Sequence, residues 1–367
     1  MEMRRVLELV VVVLSPCVCW AAGDSLLADS LEGIPVYEMP GITVTATRVP
    51  SRLCDVPLGT QVITAEDIEQ IGADDAGELL RTGVGIDMKS YGYAGSVSSI
   101  SIRGSTASQV LVLLDDRPVN SVSLGTADLS EAALSDVGRV EVVRGPASSL
   151  YGANALGGVV NIITNTTTEK PSIRGLAEFG SFGKQVYSVS TKSFVGGIGL
   201  NLSTYWRRTD GDRDNGDYDG RNVSGKVSYG GIEWLTADLT GALEWFDLGL
   251  PGPVPPRDSV PLYGNEGVTS LFDRQKNQKG YADLSLEMKL GGNGRGRAKF
   301  YYDRSDMDFH AVYRGWDSEA FTYFKAVEDD KYLTAVSGAN LQIDAYCAPK
   351  LRLVVGLDAS ISSFNAT

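Results

Sequence analysis

The residues best suited to chemistry crowd one short stretch, DGDRDNGDYDG, which carries Asp210, Asp212, Asp214, Asp217 and Asp219. Alternate carboxylates can chelate Ca2+ through hard oxygen ligands. The EF-hand template fails, because Asn215 stands at its sixth position and Arg221 at its twelfth. A calcium-ordered loop and a hydrated surface loop are both open readings. Arg103 and Arg144 each stand at a strand end against a glycine. A buried arginine at such a place must be paired, whereas a solvated one need not be. Two polar loops, Tyr91-Gly92-Tyr93-Ala94-Gly95-Ser96 and Ser121-Val122-Ser123-Leu124-Gly125, join rigid amphipathic area to small hydrogen-bonding groups. That composition suits small-molecule binding, and ordinary solvated turns are the alternative. No catalytic set is present. His310 is the sole histidine, which argues against His-based triads and multi-His metal sites, and no base accompanies any serine. The chemistry on offer is binding and charge pairing, not turnover, and no cofactor is required beyond an optional Ca2+.

The stretch that must position these groups is RVEVVRGPASSLYGANALGGVVNIIT, residues 139–164. Val140, Val142 and Val143 suit a strand, and Pro146 stops it because proline offers no N–H to a ladder. Gly152, Gly157 and Gly158 let the chain turn sharply or approach another wall closely. Val159 to Ile163 reads as a second strand. Upstream, Gln61-Val62-Ile63 is a short strand. Thr64-Ala65-Glu66-Asp67 and Asp75-Ala76-Gly77-Glu78 then open two short helices as capping boxes. Val110, Val112 and Leu114 lie on one side of a strand whose other side carries Leu111 and Leu113, so both of its faces must be covered.

After Thr164 the pattern changes to period two. Ile198, Leu200 and Leu202 alternate with Asn201 and Ser203; Leu235, Leu239, Leu243 and Trp245 with Asp238, Thr240 and Glu244. Leu284, Leu286 and Met288 alternate with Asp283 and Glu287, and Leu353, Val355 and Leu357 with Arg352 and Asp358. Strands of about ten residues, apolar on one face and polar on the other, suit a membrane barrel, although a soluble sandwich alternates similarly. Connections are short at Gly196-Gly197 and Gly230-Gly231 and in residues 291–296. They are long in residues 209–221, 249–279 and 305–331. About nine strands are expected. Tyr205, Trp206, Tyr229, Trp245 and Phe246 near strand ends fit aromatic girdles, with core packing as the alternative.

The 367 residues carry a formal net charge of −13, so nucleic acid is no expected partner. Met1 to about Gly23 reads as a secretory signal, with Arg4 and Arg5 before an apolar run and small residues for cleavage. No later run of ~18 apolar residues could form a membrane helix. Residues 24–40 read as flexible and mildly acidic; the N-terminal segment 24–50 then carries Ile42, Thr43, Val44, Thr45 and Ala46, a β-branched strand without an obvious partner. Cys54 and Cys347 read as free thiols, since spacing alone argues no disulfide.

With Ser99-Ile100-Ser101-Ile102-Arg103-Gly104 upstream, the glycine-rich stretch resembles the plug domain of TonB-dependent outer-membrane receptors, with good order from about Ile42 to Thr164. The resemblance implies an α+β plug domain over residues 51–168. All-β antiparallel transmembrane barrel strands follow over residues 172–367, incomplete against the family's roughly twenty-two. It implies an outer-membrane location and a monomeric barrel in lipid. Residues 42–46 would be a TonB box, adding an edge strand to the energy-transducing TonB protein; an ordinary first plug strand is the alternative. Arg103 and Arg144 would latch the plug to wall glutamates, and the two polar loops would face outward toward a ligand. The run from Ser98 to Asp115, continued by Ala127-Asp128-Leu129-Ser130, is similar to the plugs of cobalamin receptors, whose outer loops bind calcium through aspartates. Siderophore receptors share much of it. The expected function is energy-coupled import of a scarce nutrient, a corrinoid ahead of a ferric siderophore. A passive porin would need neither plug nor box.

Overall fold

The computed structural model describes residues 4–13, 43–44, 48, 51–52, 59–90, 92, 94–130, 132, 134–165, 171–252, 270–291, 294–317, 322–348 and 351–367. A short N-terminal part comprises β1 (Arg4–Val13), β2 (Thr43–Val44) and β3 (Ser51–Arg52). The plug body runs β4 (Gly59–Thr64), α1 (Ala65–Ile71), α2 (Ala76–Arg81), β5 (Ile86–Ser90), β6 (Ser98–Ile102), β7 (Val110–Leu114), β8 (Arg117–Pro118), β9 (Val137–Arg144), α3 (Ser148–Tyr151) and β10 (Gly158–Thr164). Its main sheet has the order β4-β9-β10-β7-β8, with β10 parallel to β7 and antiparallel to β9. Capping fixes the first helix as the sequence requires. The Thr64 hydroxyl accepts from the Asp67 N–H, and the Asp67 carboxylate accepts from the Thr64 N–H at 2.8 Å. The Asp75 carboxylate likewise accepts from the Glu78 N–H to start α2.

The apolar alternation of β7 is used on both faces. Val110 and Val112 join Leu79, Leu80, Ile100, Ile102, Val140, Val142 and Val160 in the larger core. Leu111 and Leu113 join Val143, Ala147, Ala155 and Val159 in a second core on the opposite face. Gly158 is the tight point between these strands, since a Cβ there would fall 2.4 Å from the Val143 carbonyl oxygen.

The wall consists of β11 (Ser172–Phe179), β12 (Gln185–Val195), β13 (Ile198–Thr209), β14 (Tyr218–Ile232), β15 (Leu235–Gly249), β16 (Arg274–Leu290), β17 (Gly294–Asp317), β18 (Thr322–Ala348) and β19 (Leu351–Ala366). Each strand pairs antiparallel with the next, and β1 pairs with the free edge of β19. The valine-rich N-terminal segment thus forms a strand, as β-branched residues do when an unpaired ladder is open beside them. Among the described residues β11 and β1 do not meet, so the wall is not closed.

The two faces of the wall divide as the period-two pattern requires. Leu200, Leu202, Val223, Val227, Leu239, Leu243, Leu284, Phe300, Leu341, Ile343, Val355 and Leu357 are exposed on the outer face. Asn201, Ser203, Arg207, Ser224, Lys226, Thr240, Asp283 and Lys299 are buried on the inner one, against the plug. A contiguous apolar surface of this size marks contact with lipid. The segment 305–331, expected as a long loop, is instead mostly strand: β17 and β18 continue past the wall as a two-stranded ribbon, with Asp317 opposite Thr322.

Candidate functional site

The connections define two ends of the wall. Among the described residues, 196–197 and 233–234 make tight turns at one end, and residues 210–217 make a longer excursion at the other. At the long-connection end the first polar plug loop meets the wall. Gly95 adopts a left-handed conformation, φ 72°, and a Cβ there would fall 2.4 Å from the Tyr218 ring. Ala94 packs with Tyr218, Phe246, Leu248 and Leu250 in a small apolar cluster. Ser96 is buried and hydrogen-bonds the Ser90 hydroxyl at 3.0 Å, so it shapes this loop from below. Gly92 is exposed. The second loop hangs from Asn120. The Asn120 carboxamide accepts from the Val112 N–H and donates to the Val110 and Gly125 carbonyls. Ser121 and Ser123 hydroxyls lie 3.0 Å apart, Gly125 donates its N–H to the Ser121 carbonyl, and Leu124 is left 73% exposed.

Below the loops, plug and wall are joined by charge. The Asp74 carboxylate accepts from Lys184 at 2.8 Å, and Arg207 lies 3.6 and 3.5 Å from Asp74 and Asp75. Asn201 donates to Asp136 at 2.5 Å. Asp115, at the end of β7, accepts from the Thr164 N–H and hydroxyl and lies 3.4 Å from Lys226 Nζ, while Lys299 donates to its carbonyl. Arg117, only 2% exposed, stacks over the Tyr281 ring and pairs with Asp303 at 2.5 Å and Asp283 at 3.3 Å. Burial alone would push the Asp115 carboxyl up; Lys226, Lys299 and the two Thr164 bonds outweigh it and hold the carboxyl below the usual carboxylate range. Asp75 and Asp136 go the other way, because burial outweighs their donors. Near the tight-turn end, Arg48 pairs with Asp358 at 2.9 Å and lies over Tyr151, and Arg297 and Gln342 donate to its carbonyl.

Comparison with known proteins adds to this picture. Residues 52–159 match the TonB-dependent Receptor Plug Domain family. The chain also superposes on solved receptors, one being the ferripyoverdine receptor of the outer membrane of Pseudomonas aeruginosa, at TM-score 0.72 and 16% identity over 88% of this chain and 45% of that one. The chain has the fold of a TonB-dependent receptor. The siderophore receptor PiuA from Acinetobacter baumannii gives TM-score 0.70 and 18% identity over 86% of this chain and 47% of that one. The ferric-catecholate import receptor Fiu from E. coli K12 in its open form gives 0.68 and 15% over 88% and 52%. The chain therefore spans about half the length of the receptors it matches.

Within this TonB-dependent receptor fold, the expected site residues fall out unevenly. The candidate TonB box is described only at Thr43 and Val44, which pair with Arg52 and Ser51; Ile42, Thr45 and Ala46 lie outside the described residues, as do Tyr91 and Tyr93. Arg103 is exposed, in a left-handed conformation, and its N–H donates to the Gly85 carbonyl. Arg144 donates to the Val84 carbonyl and to Gln61 at 2.7 Å. Among the described residues neither arginine meets a wall carboxylate; the plug–wall ion pairs described there are made by Glu69, Asp74, Asp75, Asp115, Arg117 and Arg48. The aspartate loop is tied by cations of the chain itself. Arg274 bridges Asp217 and Asp247 at 2.8 and 2.7 Å, Arg221 pairs with Asp219 at 3.3 Å, and Arg208 lies 3.7 Å from Asp210. Among the described residues no three metal-ligating side chains gather. Sequence reasoning passed over Asp115 and Arg117 because Asp115-Asp116-Arg117-Pro118 reads as an ordinary turn.

Proposed function

We propose that this chain is the plug and adjoining wall of an outer-membrane receptor that imports a ferric siderophore by energy coupling to TonB. The function is transport across lipid, not catalysis. The observation that carries this reading is a plug with its own core, held by buried charges against the inner face of a wall whose outer face is apolar. An open pore has no use for such a plug. Arg48 lies near the tight-turn end, which is the periplasmic end by the usual loop rhythm of outer-membrane barrels. Residues 42–46 would there be offered to the TonB protein as an added edge strand. The signal over residues 1–23 would be removed on export, freeing the edge of β19 for a further wall strand.

The cargo reading is supported by the matched receptors, which are named for ferripyoverdine, a ferric catecholate and siderophores. A corrinoid is the second reading, favoured by the run from Ser98 to Asp115. Binding can drive a signal only if the ligand distinguishes two plug states. The deciding experiment measures binding and uptake of ferric pyoverdine, a ferric catecholate and cyanocobalamin by outer membranes carrying the full-length receptor, with and without a functional TonB protein. Saturable binding of a ferric chelate with TonB-dependent uptake is expected. Cyanocobalamin uptake alone would replace the cargo, and uptake indifferent to TonB would sink the receptor reading.

A further inference from the structure

The geometry points to the turn at residues 115–117 as the catch that holds the plug in the wall. If the import reading holds, this catch must open before cargo passes. The turn joins β7 to β8, whose register pairs Leu114 with Arg117. Its two central residues, Asp115 and Asp116, both take left-handed conformations, φ 48° and 68°. Such a hairpin turn favours Asn-Gly; two aspartates tolerate it at some cost in strain. Asn161 steadies the strained pair, donating to the Asp116 carboxylate at 2.8 Å.

The turn carries opposite charges two residues apart, and three wall strands answer them. Lys226 comes from β14, Asp283 from β16, and Lys299 and Asp303 from β17. Arg117 and Asp283 are almost fully buried, at 2% and 1% side-chain exposure. Lys299 also reaches Asp283, at 3.3 Å, so the four wall groups and the turn form one connected set. Losing one member would strand a buried charge, which costs far more than the pair contributes. The set therefore lets go as a unit, which is how a packed interface becomes a two-state element. Other plug–wall contacts are less enclosed: Asp74, Asp75, Lys184 and Arg207 form a second connected set, but at 11% to 25% side-chain exposure. Glu69 and Arg174 are largely exposed, and Asp136 is held by the neutral Asn201.

The test uses the purified full-length receptor in planar bilayers, without cargo, and records channel opening as urea is raised. Lys226→Met and Arg117→Met should each lower the opening midpoint by roughly 1 M, the scale expected for losing one buried partner. Lys226→Arg should leave it in place. Asp115→Asn combined with Lys226→Met should lower it no further than the larger single change, because the two act on one contact. Insertion is checked by gel mobility of the unheated protein. If Arg117→Met does not insert, Arg117→Lys keeps the charge, loses the fork and should give an intermediate shift. Unchanged midpoints, or effects that simply add, overturn the catch. Since no cargo is present, this outcome is independent of which nutrient is imported, and normal midpoint shifts beside absent uptake would fault only the import reading.

Discussion

Leu239→Arg tests whether the outer face of the wall meets lipid. Leu239 is 54% exposed, and in register it lies between Val227 of β14 and Leu284 of β16. It stands six positions before Trp245 and four after Leu235 on β15. At ~3.3 Å per residue and a tilt of ~40°, those spans give about 15 Å and 10 Å of height, which add to the ~25 Å apolar band of an outer-membrane barrel. Leu239 is then close to the midplane. An arginine there costs about 2–4 kcal/mol, and removing the half-exposed leucine from hydrocarbon adds about 1 kcal/mol. In a water-soluble sandwich the same change at an exposed position would stay within about 0.5 kcal/mol. The assay is urea unfolding of the full-length receptor in lipid vesicles, followed by tryptophan fluorescence, with Glu233→Arg in the tight turn as control. A loss of about 3–5 kcal/mol is expected for Leu239→Arg. A loss no larger than that of the turn control would refute the membrane-wall reasoning.

Three further outcomes follow from the plug and the outer loops. Leu111→Ala should destabilise the plug by about 2–5 kcal/mol, because the strand is packed on both faces; hydrogen exchange of β7 and β10 reads it. Asp115 has a carboxyl held below its ordinary value, so its contribution is present above about pH 4 and is lost as pH falls through the folded value. Lys226, Lys299, Arg117 and Asp283 face it. Cargo-free opening in planar bilayers should therefore need less urea below pH 4 in the wild type, and Asp115→Asn should flatten that dependence. Arg274→Gln should free Asp217, leave Asp247 to Lys276 and raise proteolysis within residues 210–217, whereas chelation of calcium from the wild type should not; protection lost on chelation alone would support the calcium reading.

How far the sequence could be read depended on the range of the interaction. Thr64, Asp67, Asp75 and Glu78 cap helices across three residues, so their bonds were legible in the order of the letters. The alternation of Val110 to Leu114 announced a doubly buried strand, and Leu200, Leu239 and Leu284 announced the lipid face. The 305–331 segment was misread as a loop because polar alternation and a hydrated loop share one composition. The candidate loops were legible as a type of surface, but the burial of Ser96 was not, since it arises from Ser90 across a turn whose closure composition does not reveal.

The plug–wall charges lay beyond any local pattern. Lys226 is 111 residues from Asp115, Asp303 is 186 from Arg117, and Asp358 is 310 from Arg48. Their arrangement nonetheless follows one rule. Plug carboxylates Asp74, Asp75 and Asp115 face cations of the early wall, Lys184, Arg207 and Lys226. Plug cations Arg117 and Arg48 face carboxylates of the later wall, Asp283, Asp303 and Asp358. A plug turned about the barrel axis so that Asp115 left Lys226 and moved toward Asp283 would set like charges together in a poorly solvated space. The apolar cores hold the plug together but do not by themselves say how it sits in the wall. The division of charge between early and late strands supplies that information, and so fixes which plug loops face Tyr218 and the long connections.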